Sequence, residues 1–315
     1  MQSFDAAAID ALLDYPGLIA ALEEAHRGGV PEAQHMVQDE PEGGENKFVA
    51  LVGWARAEIV AVKMVGVFPG NLKRQPPEAS VQGLVAVFDA DTGAPRFVAD
   101  GAEMTFRKTA ADSGMGSKLL ARQDASTLLV VGAGGLAPHM IAAHTAARPG
   151  IERVMVWNRT RERAEALVDR LAGERAVEVV ENLDDAVAVA DIVSCVTMSD
   201  RPLVKGECLK PGAHLDLVGA YLPTMREADD AAMARGRIFV DTRNGMEGAG
   251  DLCQPVAAGV IGWNAVIADA FALCQGQHAG RGSDDEITIY KNVGGGHLDL
   301  FTARHLAARV RSATI

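Results

Sequence analysis

Three groups of residues in this 315-residue chain have the types and spacing to do chemistry. The first is Gly132-Ala133-Gly134-Gly135-Leu136-Ala137, which follows the apolar run Leu128-Leu129-Val130-Val131. Gly132, Gly134 and Ala137 make G-x-G-x-x-A. In that pattern the first small residue permits a tight turn, the second lets backbone approach a pyrophosphate, and the third lets a helix pack close to a strand. The helix predicted over 138–147 would offer free N–H groups and a partial positive charge to phosphates. A strand before the turn, a helix after it and a second strand over 153–157 make dinucleotide binding the reading, rather than a plain Gly-rich turn.

The second group centres on Lys63. In the strand predicted over 58–68, Ile59, Ala61, Lys63, Val65 and Val67 share one face by the period of two. Two readings stand equally: a lysine on a sheet edge whose amine reaches water, or a cation held in a pocket where burial shifts its pKa. The third group is Thr105, Arg107, Lys108 and Thr109, near the start of a helix predicted over 105–121. It reads either as a solvated basic face or as an anion site at a helix N-terminus.

The end of the second strand bears on which dinucleotide is bound. An acidic residue there accepts from the ribose 2′-OH of NAD. Here the strand ends Val156-Trp157-Asn158-Arg159-Thr160, without a carboxylate. A guanidinium can bind a 2′-phosphate in two-pronged fashion, and one charge-assisted contact of about 1.5–3 kcal/mol gives roughly one to two decades of preference. Arg159 and Arg163 therefore point to NADPH, with NADH as the alternative and solvation of a helix start as the plain reading.

These groups must be positioned by a chain that changes pattern midway. Residues 5–27 read as a helix, 38–46 as a hairpin loop, and 48–54, 58–68, 81–89 and 97–99 as strands. From Thr127 onward strands over 128–131, 153–157, 177–180, 192–196, 214–218 and 238–241 alternate with helices such as 161–171 and 226–235, and a helix over 302–312 ends the chain. Such alternation predicts an α/β fold with a Rossmann-type doubly wound parallel sheet, joined to a smaller α+β domain. A net charge of −12 argues against a nucleic-acid surface, and the acidic first thirty residues are no signal peptide. Cys195, Cys208, Cys253 and Cys274 form no C-x-x-C pair, so the expectation is a cytoplasmic protein with reduced thiols, no metal site and no membrane span.

Along nearly its whole length the chain resembles the ornithine cyclodeaminase/mu-crystallin family. The matching pieces are Val62-Lys63 through Phe68-Pro69-Gly70-Asn71, Phe88-Asp89-Ala90-Asp91-Thr92-Gly93, Thr109-Ala110-Ala111 and the Gly132 turn. Pro211-Gly212-Ala213-His214, Val218-Gly219-Ala220 and Gly280-Arg281-Gly282-Ser283-Asp284-Asp285-Glu286-Ile287-Thr288 complete the set. The resemblance implies a substrate-binding and dimerisation domain over 1–120, completed by a C-terminal helix over 298–315, and a dinucleotide domain over 121–297. It also implies a homodimer acting on a small imino or amino acid. Lys63 becomes the catalytic candidate, and Lys63, Arg107, Lys108, Asn71, Val293 and Gly294 become substrate contacts. Cofactor contacts fall on Thr109, Gly132, Gly134, Gly135, Leu136, Ala137, Asn158, Arg159, Thr160, Arg163, Val196, Thr197, Val218 and Gly219.

Departures from the family pattern choose among its activities. Cyclodeaminases carry an Asp two residues after the Val-Gly pair, where this chain has Tyr221. A phenol with a reference pKa of about 10 is no substitute for that carboxylate at neutral pH. The family's Arg after an early proline is absent at Pro31-Glu32-Ala33, and the Arg before Thr-Ala-Ala is Lys108 here. The stretches Gly219 to Asp230 and Gly134 to His139 resemble the cyclic-ketimine reductase branch. The expected activity is therefore NAD(P)H-dependent reduction of Δ1-pyrroline-2-carboxylate or Δ1-piperideine-2-carboxylate to proline or pipecolate. The alternatives are an ornithine cyclodeaminase, an alanine dehydrogenase, or a non-catalytic NADPH-dependent ligand binder.

Overall fold

The structure is a computed structural model that describes residues 1–76, 78–173 and 176–313. Its contacts form two compact units, one of Met1–Ala25, Gly29–Lys108 and Gly296–Ile315, the other of His26–Gly28 and Thr109–Gly295. The chain passes from one to the other within a single helix, between Lys108 and Thr109, not at the expected 120/121. A continuous helix gives no loop for a sequence reading to mark as a boundary.

The first unit contains β1 (Gln2–Phe4), α1 (Ala6–Leu12), α2 (Tyr15–His26), β2 (Ala33–Asp39), β3 (Lys47–Ala55), β4 (Ile59–Val67), β5 (Val81–Asp89), β6 (Pro95–Asp100) and the start of α3 (Gly101–Leu120). The single helix expected over 5–27 is two. Asp5 caps the first by accepting from the Ala8 N–H, and the Asp14 carboxylate accepts from Gly17 N–H as the second begins, with Pro16 in its first turn, where no N–H is needed. The strands order as β1-β6-β5-β4-β3-β2, antiparallel except for the β1–β6 pair. β2 has no sequence signature because all seven of its residues are exposed, which leaves no alternation to detect. Ile59, Ala61, Lys63 and Val65 share the buried face of β4, as their spacing requires.

The second unit adds β7 (Thr127–Val131), α4 (Ala137–Ala147), β8 (Arg153–Trp157), α5 (Arg161–Leu171), β9 (Glu178–Val179), α6 (Leu183–Val189), β10 (Ile192–Cys195), β11 (His214–Leu217), α7 (Asp230–Arg235), β12 (Arg237–Val240), α8 (Gly250–Ala257), β13 (Val266–Asp269), α9 (Ala270–Cys274) and β14 (Thr288–Lys291). All pairings in the order β13-β12-β14-β11-β10-β7-β8-β9 are parallel. This is the doubly wound sheet, with two strands, β13 and β14, beyond the six expected. β7 pairs with β8 on one side and β10 on the other, so the chain reverses its winding there, and ligands of such sheets lie outside the strand carboxyl ends at that point.

The last helix, α10 (Gly296–Ala313), belongs to the first unit, where Leu300, Ala303, Leu306 and Ala307 join the core formed by Ile9, Leu13, Ile59, Val85 and Phe97. It begins six residues before the expected 302 (302 − 296). Thr314 and Ile315, the end of the implied 298–315 helix, lie outside the described residues. No helix among the described residues is long and apolar enough to cross a membrane.

Candidate active site

Lys63 stands on a central strand, flanked across the sheet by Leu51 and Val85, which removes the edge reading. Its ammonium lies 3.1 Å from Oδ1 of Asp299 on α10, and the Lys108 ammonium lies 2.7 Å from Oδ2 of the same carboxylate. All three side chains are buried. Burial, and then the neighbouring Lys108, lower the Lys63 pKa, with Asp299 opposing. Burial alone would raise Asp299, but the two ammoniums outweigh it and hold the carboxyl below its ordinary value. Two cations sharing one anion leave a net positive charge, which suits a ligand carboxylate, and Lys63 is the more acidic for it.

Arg107 is not in this cluster. Its guanidinium binds Glu103, Asp10 and the Leu13 carbonyl, and stacks over the Tyr15 ring. Adjacent helix residues point about 100° apart, and Lys108 faces Lys63 while Arg107 fastens α3 to the first two helices. The helix-start reading of this group also fails. α3 begins at Gly101, where Asp100 accepts from Glu103 N–H, so Arg107, Lys108 and Thr109 lie beyond its free N–H groups. Asn71 is nearly buried and holds its own loop, its amide donating to the Ala79 carbonyl.

In the second unit the Gly132 turn has the geometry a dinucleotide needs. Gly132 takes φ +122°, and a Cβ there would sit 2.8 Å from the Val196 carbonyl oxygen. Gly134 and Gly135 are exposed, and a Cβ on Gly134 would meet nothing within 4 Å, so backbone is open to a ligand. Leu136 precedes α4, and Ala137, fully buried, lets that helix lie close to β7. After β8 the Asn158 amide donates to the Thr160 carbonyl, shaping the loop. The Arg159 and Arg163 side chains are exposed and make no ion pair or hydrogen bond among the described residues, whereas Arg161 is committed to Glu165 and Glu181. These residues fit a dinucleotide.

The carboxyl ends of β10 and β11 are tied by a residue that sequence reasoning missed. Buried Glu227 accepts at Oε1 from Thr197 N (2.6 Å) and Oγ1 (2.9 Å), and at Oε2 from the N–H groups of Val218 (3.1 Å), Gly219 (2.7 Å) and Ala220 (3.3 Å). The expected helix over 226–235 starts only at Asp230 because Glu227 is held here instead. A Cβ on Gly219 would lie 1.7 Å from the Thr197 carbonyl oxygen, so the two strand ends approach as closely as backbone allows. Burial, then Asp251, push Glu227 up to about 8, opposed by Lys291 and the Thr197 hydrogen bonds. Asp251 in turn accepts from Glu227 N–H and from the fully buried Lys291 ammonium. Asp241, also missed, accepts from the N–H groups of Val293, Gly294 and Gly295 and so fixes the Val293-Gly294 turn. Tyr221, 54% exposed, follows Ala220 at the β11 end.

Three comparisons bear on this arrangement. The chain matches the profile of the ornithine cyclodeaminase/mu-crystallin family over residues 7–314. It is 41% identical over 299 residues to a Delta(1)-pyrroline-2-carboxylate reductase of Paracoccus denitrificans, covering 94% of this chain and 92% of the relative. It is 42% identical over 250 residues to protein SAR DEFICIENT 4 of Arabidopsis thaliana, covering 78% and 76%. Among solved structures, Delta(1)-pyrroline-2-carboxylate reductase of Thermococcus litoralis, in complex with NADH and L-proline, superimposes with a TM-score of 0.91 at 26% identity, covering 100% and 99% of the two chains. The iminosuccinate reductase of Paracoccus denitrificans, in complex with NAD+, gives 0.85 at 28% identity, covering 100% and 97%. The chain belongs to the ornithine cyclodeaminase/mu-crystallin family.

Proposed function

We propose that this protein is an NAD(P)H-dependent reductase of cyclic imino acids, converting Δ1-pyrroline-2-carboxylate or its six-membered homologue to proline or pipecolate. The observation that carries the reading is the buried Lys63–Asp299–Lys108 cluster. Its surplus positive charge receives the substrate carboxylate. Reduction of C=N adds a hydride at carbon and a proton at nitrogen. A bound nicotinamide supplies the hydride. In this reading Lys63, acidified by burial and by Lys108, keeps the imine nitrogen protonated, which makes C2 the better electrophile. Tyr221 in place of a carboxylate leaves cyclodeamination without its acid/base group. The reductases named among the relatives, and the neighbour bound to NADH and L-proline, support the same reaction.

NADPH is the proposed preferred cofactor, supported by the unpaired Arg159 and Arg163 and by the lack of a carboxylate after β8. A homodimer is proposed as well. The face of the first sheet opposite Lys63 exposes Met36, Phe48, Val52, Trp54 and Leu84, and a contiguous apolar patch of that kind marks an interface. The test is a substrate panel. NADPH should be consumed with pyrroline-2-carboxylate or piperideine-2-carboxylate, and ornithine should release no ammonia. No NADPH consumption with either imine, or ammonia from ornithine, overturns the proposal.

A further inference from the structure

A cavity of about 480 Å³ opens in the second unit at the end of the sheet away from the Gly132 turn. It lies where α3 ends and where the chain enters β7, with the loop before β14 as its far wall. The turn follows the other end of β7, roughly 16 Å away by the rise of a five-residue strand. Three guanidiniums, Arg122, Arg148 and Arg281, and the Lys118 ammonium line the cavity with the carboxylates of Asp124 and Asp284, in a chain of net charge −12.

Two of these guanidiniums build the wall. Arg148 Nη2 donates to the carbonyls of Lys118 and Ala121, and Arg281 Nε to that of Leu120, so both hold the end of α3. Burial holds Arg281 below its ordinary value, with Glu286 opposing and Arg122 and Arg148 adding repulsion. Arg122 gives Nε and Nη2 to Asp124, at 2.9 and 2.7 Å, and its Nη1 has no acceptor among the described residues. Gly212, at φ +78°, makes room for it. A Cβ there would lie 2.3 Å from the Asp284 carbonyl oxygen and 3.0 Å from Arg122 Nη1. Like charges gathered around an open space, with one guanidinium nitrogen unpaired, are relieved by an anion. The volume exceeds what one phosphate needs and falls in the range of small-metabolite sites.

We propose that this cavity binds a small polyanion, bearing two or more phosphate or carboxylate groups, separately from the dinucleotide. The test is calorimetric titration of pyrophosphate and of citrate into the full chain at low salt with saturating NADPH present. Saturable binding of either is expected. Pyrophosphate alone would identify phosphate chemistry and citrate alone polycarboxylate chemistry. Binding should weaken by about tenfold or more in Arg122→Gln, the loss of one charge-assisted contact, and also in Lys118→Gln. It should weaken further with added salt. NADPH affinity should stay unchanged in both variants, which separates this outcome from failure of the reductase reading. No saturable binding, or binding that survives Arg122→Gln but is lost in Arg159→Ala, overturns it.

Discussion

Replacing Asp299 with Asn tests the charge cluster most directly. The substitution keeps the shape of the side chain and removes the carboxylate charge shared by two buried ammoniums, at contacts of 3.1 and 2.7 Å. At an effective dielectric constant of about 20, unit charges roughly 3 Å apart attract by about 5–6 kcal/mol, an upper bound for each contact. Removing one partner of a buried ion pair costs about 3–5 kcal/mol in practice. Without that carboxylate the two influences that lower Lys63, burial and the Lys108 ammonium, act unopposed by Asp299. The direction follows from the sign of the interaction: Asp299 favours the charged lysine, and burial with Lys108 already lowers it. The alkaline limb of kcat/KM for imine reduction, followed by NADPH absorbance, should therefore move to lower pH. Stability changes in a different window. The folded pKa of Asp299 is depressed, so its contribution is present above the unfolded value of about 3.9 and is lost as pH falls through the folded value. Urea melts should show the variant weaker than the parent at neutral pH, with the gap closing in acid. If a variant that still binds NADPH keeps its alkaline limb in place, Lys63 is not the titrating group and the proton assignment fails.

Lys63→Met should leave the fold and NADPH affinity intact while reducing imine turnover more than tenfold, or about 1.4 kcal/mol of transition-state stabilisation; smaller losses in single-turnover assays would remove Lys63 from the chemistry. Arg159→Ala should raise the NADPH Michaelis constant by about ten- to a hundredfold and leave that for NADH nearly unchanged, whereas equal losses would make the residue structural. Glu227→Ala leaves the N–H groups of Thr197, Val218, Gly219 and Ala220 without their shared acceptor, at about 1–3 kcal/mol per orphaned donor. Both the melting temperature and the NADPH affinity, measured by fluorescence, should fall, and unchanged affinity would free the β10 and β11 ends from any part in cofactor binding. If the proposed homodimer forms through the exposed sheet face, the parent should give twice the single-chain mass by light scattering and Trp54→Asp, which puts a charge there, the single-chain mass.

Much of this molecule is legible in local sequence. The alternating sheet, the Gly132 turn and the buried face carrying Lys63 all depend on residues within a few positions of one another, where the periods of strand and helix act directly. Four strands escaped, β1, β2, β13 and β14. β2 has no buried side to alternate with, and β14 ends in a lysine whose ion-pair partner, Asp251, lies 40 residues earlier. The tertiary structure alone decided the charges. Nothing near Lys63 announces Asp299, which also pairs with Lys108 across 191 residues. Only the return of α10 to the first unit puts a carboxylate between the two lysines. The same holds for Arg107 and Lys108: spacing places them on different faces of α3 but says nothing of what each face meets. Periodicity is a short-range property of the backbone, whereas the partner of a buried charge is set by which distant segments the chain topology brings together.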